Sequence, residues 1–174
     1  MLRHIRHIPG ELVFPTTASI PFILVATGTG LAPFRAFLHE QMDASDAPWL
    51  NGCLLYGYRA TGKDDLYADE LAKWASRGLR VFRVASRDQE DALGKRWYVQ
   101  DEILARADVL APLLLQEPIV CICGNSNKMP TAVHAAFVSI LHTHTQRFQH
   151  DRSAAEAFLL HLKRQKKYQV EAWS

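Results

Sequence analysis

The stretch Phe22-Ile23-Leu24-Val25-Ala26-Thr27-Gly28-Thr29-Gly30-Leu31-Ala32-Pro33-Phe34-Arg35 decides the fold. Its first four residues are apolar and bulky, as in a strand covered on both faces, and two glycines spaced by one residue end the run. From Ala32 to about Met42 apolar residues return at helical spacing. Strand, glycine turn and helix in that order open a parallel α/β unit.

The same pattern repeats outward. Cys53-Leu54-Leu55-Tyr56 leads through Gly57 and Arg59 to a helix on which Tyr67, Leu71 and Trp74 fall at i, i+4 and i+7, stopped by Gly78. Arg80-Val81-Phe82-Arg83-Val84-Ala85 runs into a polar loop over 86–96, and one helix is predicted from near Tyr98 carrying Ile103, Leu104 and Val109. Ile119-Val120-Cys121-Ile122-Cys123 ends at Gly124-Asn125-Ser126 and feeds a helix with Val133, Phe137, Ile140 and Leu141 on one stripe. A further helix carries Ala155, Phe158, Leu159 and Leu162, and the cluster 163–167 forms its cationic end. Residues 168–173 alternate as a last strand. Five strands and about five helices predict a doubly wound open parallel sheet with helices on both faces, whose ligands bind beyond the carboxyl ends of the strands. The chemistry is therefore expected in loops 26–31, 57–60, 86–98 and 123–129. Residues 1–18 fall outside the unit, with Pro9-Gly10 breaking a segment of no clear period; they read as a linker or the remnant of a preceding domain, leaving 19–174 as the folded unit.

Composition narrows the function. A chain of 174 residues with 48% apolar and 22% charged residues is one ordinary folded domain. Twenty Lys and Arg against eighteen Asp and Glu leave +2, which gives nucleic acid no support. No apolar run approaches the roughly 20 residues that cross a bilayer, and the N-terminus lacks a secretion signal, so no membrane contact and a cytoplasmic location are expected. Cys53, Cys121 and Cys123 sit in apolar runs as reduced core thiols. Cys121 and Cys123 are expected on opposite faces of their strand, His142 and His144 do not share a helix face, and no metal site is expected. No serine-histidine-acid order or paired carboxylate pattern supports hydrolysis.

The loops carry the chemistry. In Thr27-Gly28-Thr29-Gly30 the glycines let backbone amides approach a phosphate, and the following helix points its positive end there. The third glycine of a common dinucleotide fingerprint is replaced by Pro33, and an alanine at position 26 is costly if that backbone needs a positive φ. After the second strand stand Tyr58 and Arg59 in place of the acidic residue that holds an NAD ribose, which disfavours NAD. Ser86 and Arg87, followed by Lys95, Arg96, Tyr98 and Gln100, supply donors for a phosphate monoester and a ring to lie against a purine, which favours NADP. Asp88, Glu90 and Asp91 dilute that positive charge. Cys123, at the ligand end of the fourth strand, is placed where it could flank a reactive ring.

Taken in order, Gly28-Thr29-Gly30-Leu31-Ala32-Pro33-Phe34-Arg35, Tyr56-Gly57-Tyr58-Arg59, Ser86-Arg87, Tyr98-Val99-Gln100, Cys123-Gly124 with Met129, and terminal Trp173-Ser174 resemble the NADP-binding module of NADPH-dependent diflavin oxidoreductases of the ferredoxin-NADP reductase type. Pro9-Gly10-Glu11-Leu12-Val13-Phe14-Pro15 and Lys128-Met129-Pro130 are most similar to the branch serving cytosolic iron-sulfur protein assembly. The resemblance implies hydride transfer from NADPH to FAD and single-electron transfer through FMN to an iron-sulfur acceptor protein. It implies that Gly28, Thr29 and Gly30 hold the diphosphate, that Arg59 meets the nucleotide phosphates, and that Ser86, Arg87, Tyr98 and Gln100, with Lys95 or Arg96, hold the 2′-phosphate. It also implies that Cys123 and Glu171 flank the nicotinamide and that Trp173 stacks on the flavin. FAD-holding motifs and an FMN domain are absent from the sequence, so those domains are expected in cis or in trans. The alternative is a noncatalytic nucleotide-binding or interaction domain that keeps the fold.

Overall fold

Phe22–Thr27 forms β1, and its first five residues are fully buried, as expected for an apolar strand with helices on both sides. In the computed structural model, which describes residues 12–17, 19–44, 51–125 and 128–173, β1 passes through a 3-10 turn at Gly28–Gly30 into α1, Leu31–Ala44. Pro33 lies in the first turn of α1, where a missing amide hydrogen costs nothing. Then follow β2 (Gly52–Tyr58), α2 (Ala68–Ser76), β3 (Arg80–Ala85), α3 (Val99–Ala105), α4 (Ala107–Leu115), β4 (Ile119–Asn125), α5 (Met129–His144), α6 (Arg152–Arg164) and β5 (Tyr168–Trp173). All five strands are parallel, in the order β3-β2-β1-β4-β5. The chain winds outward from β1 in one direction and then, from β4, in the other. That reversal opens a crevice between the carboxyl ends of β1 and β4.

The alternation of the strands divides the core into two layers. Ile23, Val25, Cys53, Leu55, Val120 and Ile122 pack under α3 to α6, whereas Leu24, Ala26, Leu54, Tyr56, Cys121 and Cys123 pack under α1 and α2. Cys121 and Cys123 thus share a face, against the sequence expectation, because residues two apart in a strand point the same way. All three cysteines are free and buried. Among the described residues, no group of His, Cys, Asp and Glu is placed to hold a metal. No helix among them is long and apolar enough to cross a membrane.

Two helix expectations need correcting. The helix predicted from Tyr98 through Val109 is two, broken at Arg106 (φ −104°, ψ 28°), whose guanidinium pairs with Glu102 and lies 4.9 Å above the Phe82 ring. The break lets Ile103 and the Ala107, Leu110, Ala111 and Leu114 stripe all face the sheet, while Leu104 is left 44% exposed. Tyr67 precedes α2 instead of opening it, in the left-handed region at φ 59°, with the Arg35 guanidinium 4.2 Å from its ring centre.

Of the stretch 1–18, residues 1–11 and 18 lie outside the described residues, and with them Pro9-Gly10 and Glu11. Residues 12–15 run along the domain: Phe14 stacks on Phe37 at 4.7 Å, and the Gln169 side chain both donates to Val13 O (2.8 Å) and accepts from Val13 N (2.7 Å). Ser126 and Ser174, quoted among the sequence motifs, also lie outside the described residues.

Candidate functional site

The crevice at the carboxyl rim is a cleft of about 1230 Å³, and residues from behind all five strands line it. The β1 turn brings Thr27, Gly28 and Thr29; β2 and its loop bring Gly57, Tyr58, Arg59, Lys63, Asp64 and Leu66. From β3 and the start of α3 come Val84, Ser86, Tyr98, Val99 and Gln100; from β4, α5 and β5 come Asn125, Lys128, Met129, Ala132 and Trp173. Three cations, Arg59, Lys63 and Lys128, face one carboxylate, Asp64, so the lining favours an anion. Four inter-strand spacings separate the β3 and β5 ends, roughly 19 Å, which suits an extended guest. Tyr98 and Trp173, 39% and 42% exposed, supply aromatic rings from the two edges of the sheet.

Backbone packing builds the floor. A Cβ on Gly30 would sit 2.1 Å from the carbonyl oxygen of Cys123, and one on Gly124 would sit 2.1 Å from Thr27 Oγ1. Only glycine lets the β1 turn nest against the end of β4 this closely. The positive φ of the turn falls on Gly28 at 55°, whereas Ala26 belongs to the extended strand and carries no such demand. Thr27 Oγ1 is buried in the cleft wall without a hydrogen-bond partner. An orphaned hydroxyl, a glycine turn leading into the start of α1 and flanking cations together fit a phosphate-bearing ligand.

The loops after β2 and β3 are joined. Ser86 N and Oγ both donate to Tyr58 O, at 2.9 and 3.0 Å, and Arg87 N donates to Arg59 O at 2.8 Å. Thr61 N donates to Asp88 Oδ2 at 2.7 Å, and that amide holds the Asp88 carboxyl below its usual range, with Lys63 contributing its charge. Beyond Asp88 the long polar loop folds back as a hairpin: Asp91 N donates to Lys95 O, Trp97 N to Gln89 O, and Glu90 bridges Arg96. Two of the three acidic residues that the sequence set against Arg87 are thus occupied within the loops, Asp88 by the Thr61 amide and Asp91, whose Oδ1 accepts from the amides of Leu93 and Lys95.

The cleft gathers seven of the residues chosen from sequence: Gly28, Thr29, Arg59, Ser86, Tyr98, Gln100 and Trp173. Gly30 lies beneath it as floor. Arg87 is exposed beside it, and Lys95 and Arg96 stand on the returning arm of the hairpin, outside its lining. Cys123 is fully buried, with burial as the main cause and Glu171 as a second raising its thiol to about 11. Glu171 pairs with Cys123 in the β4–β5 register and is exposed, also outside the lining. Sequence reasoning missed Lys63, Asp64 and Leu66, and it quoted Thr27 and Lys128 without giving either a role. Reading the second loop beyond residue 60, as the rule of carboxyl-end loops allows, would have found Lys63.

A doubly wound parallel sheet with a glycine turn and an anion-favouring cleft at its switch point defines a dinucleotide-binding α/β domain. The family model described as the oxidoreductase NAD-binding domain matches residues 24–135, and the chain belongs to that family. It is 34% identical over 167 residues to an NADPH-dependent diflavin oxidoreductase 1 of Xenopus laevis, covering 95% of this chain and 26% of that protein. Identity is 33% over 155 residues to the protein of the same name from Kluyveromyces lactis, covering 88% and 23%. The sulfite reductase [NADPH] flavoprotein alpha-component of Vibrio vulnificus is 32% identical over 163 residues, covering 91% and 25%. The chain spans about a quarter of the length of these relatives.

Proposed function

We propose that this chain is the NADPH-binding module of a diflavin oxidoreductase: it delivers hydride from NADPH to FAD, and FMN passes electrons singly to an iron-sulfur acceptor protein, in cytosolic iron-sulfur cluster assembly. The carrying observation is one anion-favouring cleft in which loops from all five strands meet, in a chain similar over most of its length to NADPH-dependent flavoprotein oxidoreductases. Residues 19–174 serve as the binding domain, with 1–18 leading from a neighbouring domain, and the FAD and FMN domains act in cis or in trans.

The bound nicotinamide supplies the hydride; the protein's task is positioning. Amides of the Gly28-Thr29-Gly30 turn hold the diphosphate, and Arg59 neutralises it. Ser86 and Arg87 take the 2′-phosphate together with Lys95 or Arg96, with Tyr98 against the purine and Gln100 beside it. Trp173 covers the flavin side and yields to the nicotinamide ring. Glu171 would flank that ring and supply the charge, and Cys123, buried behind it and kept a thiol by that burial, would contribute its dipole.

The test is twofold. Arg87→Ala should weaken NADP⁺ by about 1.5 to 3 kcal/mol while leaving NAD⁺ nearly unchanged; equal loss for both removes the 2′-phosphate assignment. The chain mixed with the FAD-binding half in trans should reduce flavin on addition of NADPH. A folded chain that binds NADP⁺ yet gives no reduction would refute hydride delivery and favour the noncatalytic alternative.

A further inference from the structure

Arg35 ends the motif that begins at the glycine turn, yet it lies outside the cleft lining. From the second turn of α1 its guanidinium reaches across to α2. Nε and Nη2 donate to Glu70 Oε2 and Oε1 at 2.8 and 2.9 Å, a two-bond fork that fixes the plane of the group. His39 Nε2, one turn further along α1, lies 2.8 Å from the same Oε2. Held in this way, the guanidinium sits 4.2 Å from the centre of the Tyr67 ring.

Tyr67 occupies a conformation that its own chemistry disfavours. It precedes α2 at φ 59° and ψ 34°, and its side chain makes no capping hydrogen bond. The residue at that position is ordinarily extended, with a short polar side chain bonded to the first turn, and a bulky side chain in the left-handed region is an outlier. Such a conformation persists where neighbouring groups impose it, and the Arg35 guanidinium is placed to do so. The cleft wall depends on the outcome, because Lys63, Asp64 and Leu66 line the cleft on the short loop that ends at Tyr67. The sheet holds that loop through Tyr56 Oη, which donates to Asp64 O at 3.2 Å, and through the Arg83–Asp65 ion pair. Beyond Leu66 the hold passes to α1, the helix that starts from the glycine turn.

We propose that Arg35 is a positioning residue of the cleft: by keeping Tyr67 in the left-handed region it fixes the 61–67 loop against α1, and with it the Leu66 wall that a bound dinucleotide meets. The inference rests on the NADPH reading only for the ligand that reports it.

Amide hydrogen exchange on the ligand-free full chain and calorimetry with NADP⁺ test it together. The amides of Lys63, Asp64 and Leu66 all donate within the loop, so their exchange reads how firmly it is held. Arg35→Ala should speed that exchange about fivefold or more and weaken NADP⁺ by a similar factor, as the left-handed residue is released. Asparagine enters the left-handed region readily. In a Tyr67→Asn background the same Arg35→Ala substitution should therefore change neither exchange nor affinity, although it still breaks the ion pair to Glu70. An Arg35 that served only stability would cost as much in both backgrounds, in step with the urea midpoint, and that result overturns the proposal. So does unchanged loop exchange in Arg35→Ala, or unchanged affinity in a variant whose loop exchanges faster; each leaves the NADPH reading standing. A wild-type chain that binds no NADP⁺, with loop exchange responding as expected in both backgrounds, removes the NADPH reading and supports the role of Arg35 in the wall.

Discussion

Asp65 and Arg83 form an ion pair behind the cleft, Arg83 Nη2 donating to Asp65 Oδ2, and the two partners differ in burial. The Asp65 side chain is 7% exposed and that of Arg83 33%. Removing either one breaks the same contact, but the consequences are unequal. Without Arg83 a shielded carboxylate is left with no cation, and its Oδ1 already has no partner; stranding a buried charge in this way costs about 3 to 5 kcal/mol. Without Asp65 the guanidinium, one-third exposed, can turn toward water beside the Tyr58 ring, whose centre is 5.7 Å away, and the loss falls to about 1 to 2 kcal/mol. Arg83→Ala should therefore destabilise the chain markedly more than Asp65→Ala, and the double variant should be more stable than Arg83→Ala alone. Urea unfolding followed by tryptophan fluorescence reads all three. Equal costs for the two single substitutions, or a double variant as unstable as their sum, would refute the reasoning. Leu66, next to Asp65, lines the cleft, so Asp65→Ala should also loosen NADP⁺ binding.

Gly30→Ala sets a Cβ 2.1 Å from Cys123 O and 2.9 Å from Gly124 N, both backbone atoms that cannot move aside independently; the expected cost is about 1 to 3 kcal/mol, read as a lower melting temperature together with weaker NADP⁺ binding. The hydrogen bond from Arg35 is the main reason why the Glu70 carboxyl is lowered from 4.5 to about 2, with His39 adding to it. A depressed folded-state pKa stabilises above the unfolded value and is lost as pH falls from about 4.5 toward 2. With both side chains about one-third exposed, solvent screening keeps the contribution of the pair small, and Glu70→Gln should flatten the unfolding curve in that acid window alone. Burial pushes Cys53 and Cys121 up to about 12 and Cys123 to about 11, so iodoacetamide at pH 8 should leave the native chain unlabelled and add three groups after denaturation, as counted by mass.

The parts of the fold legible from sequence are those in which one local constraint leaves one outcome. A central parallel strand must be apolar on both faces, so the runs at 22–25, 53–56 and 119–123 announce β1, β2 and β4, and the glycines that end β1 and β4 mark where backbone meets backbone at the switch point. Tyr67 was misplaced because its spacing to Leu71 and Trp74 satisfies a helical stripe equally well from just before the first turn. Ile103, Leu104 and Val109 likewise fit one helix until the turn at Arg106, set by Glu102 and Phe82, divides them.

The site divides along the same line. Arg59, Ser86, Tyr98 and Trp173 stand at or next to an element's end, and the end of the element fixes where each begins. Lys95 and Arg96 stand in a loop whose fold depends on Asp91 and Gln89 closing a hairpin, and counting residues back from Tyr98 carries no trace of that closure. Lys63 reaches the cleft for the complementary reason: hydrogen bonds to Ala60, Asp88 and Arg59 hold its loop and the Ser86 loop together, although 23 positions separate Lys63 from Ser86 in the chain. The bonds that join the two loops make Asp88 more than a diluting charge. By accepting the Thr61 amide its carboxylate ties the loop that carries Lys63 to the loop that carries Ser86, so the negative charge beside Arg87 is offset by a lysine on the same joint.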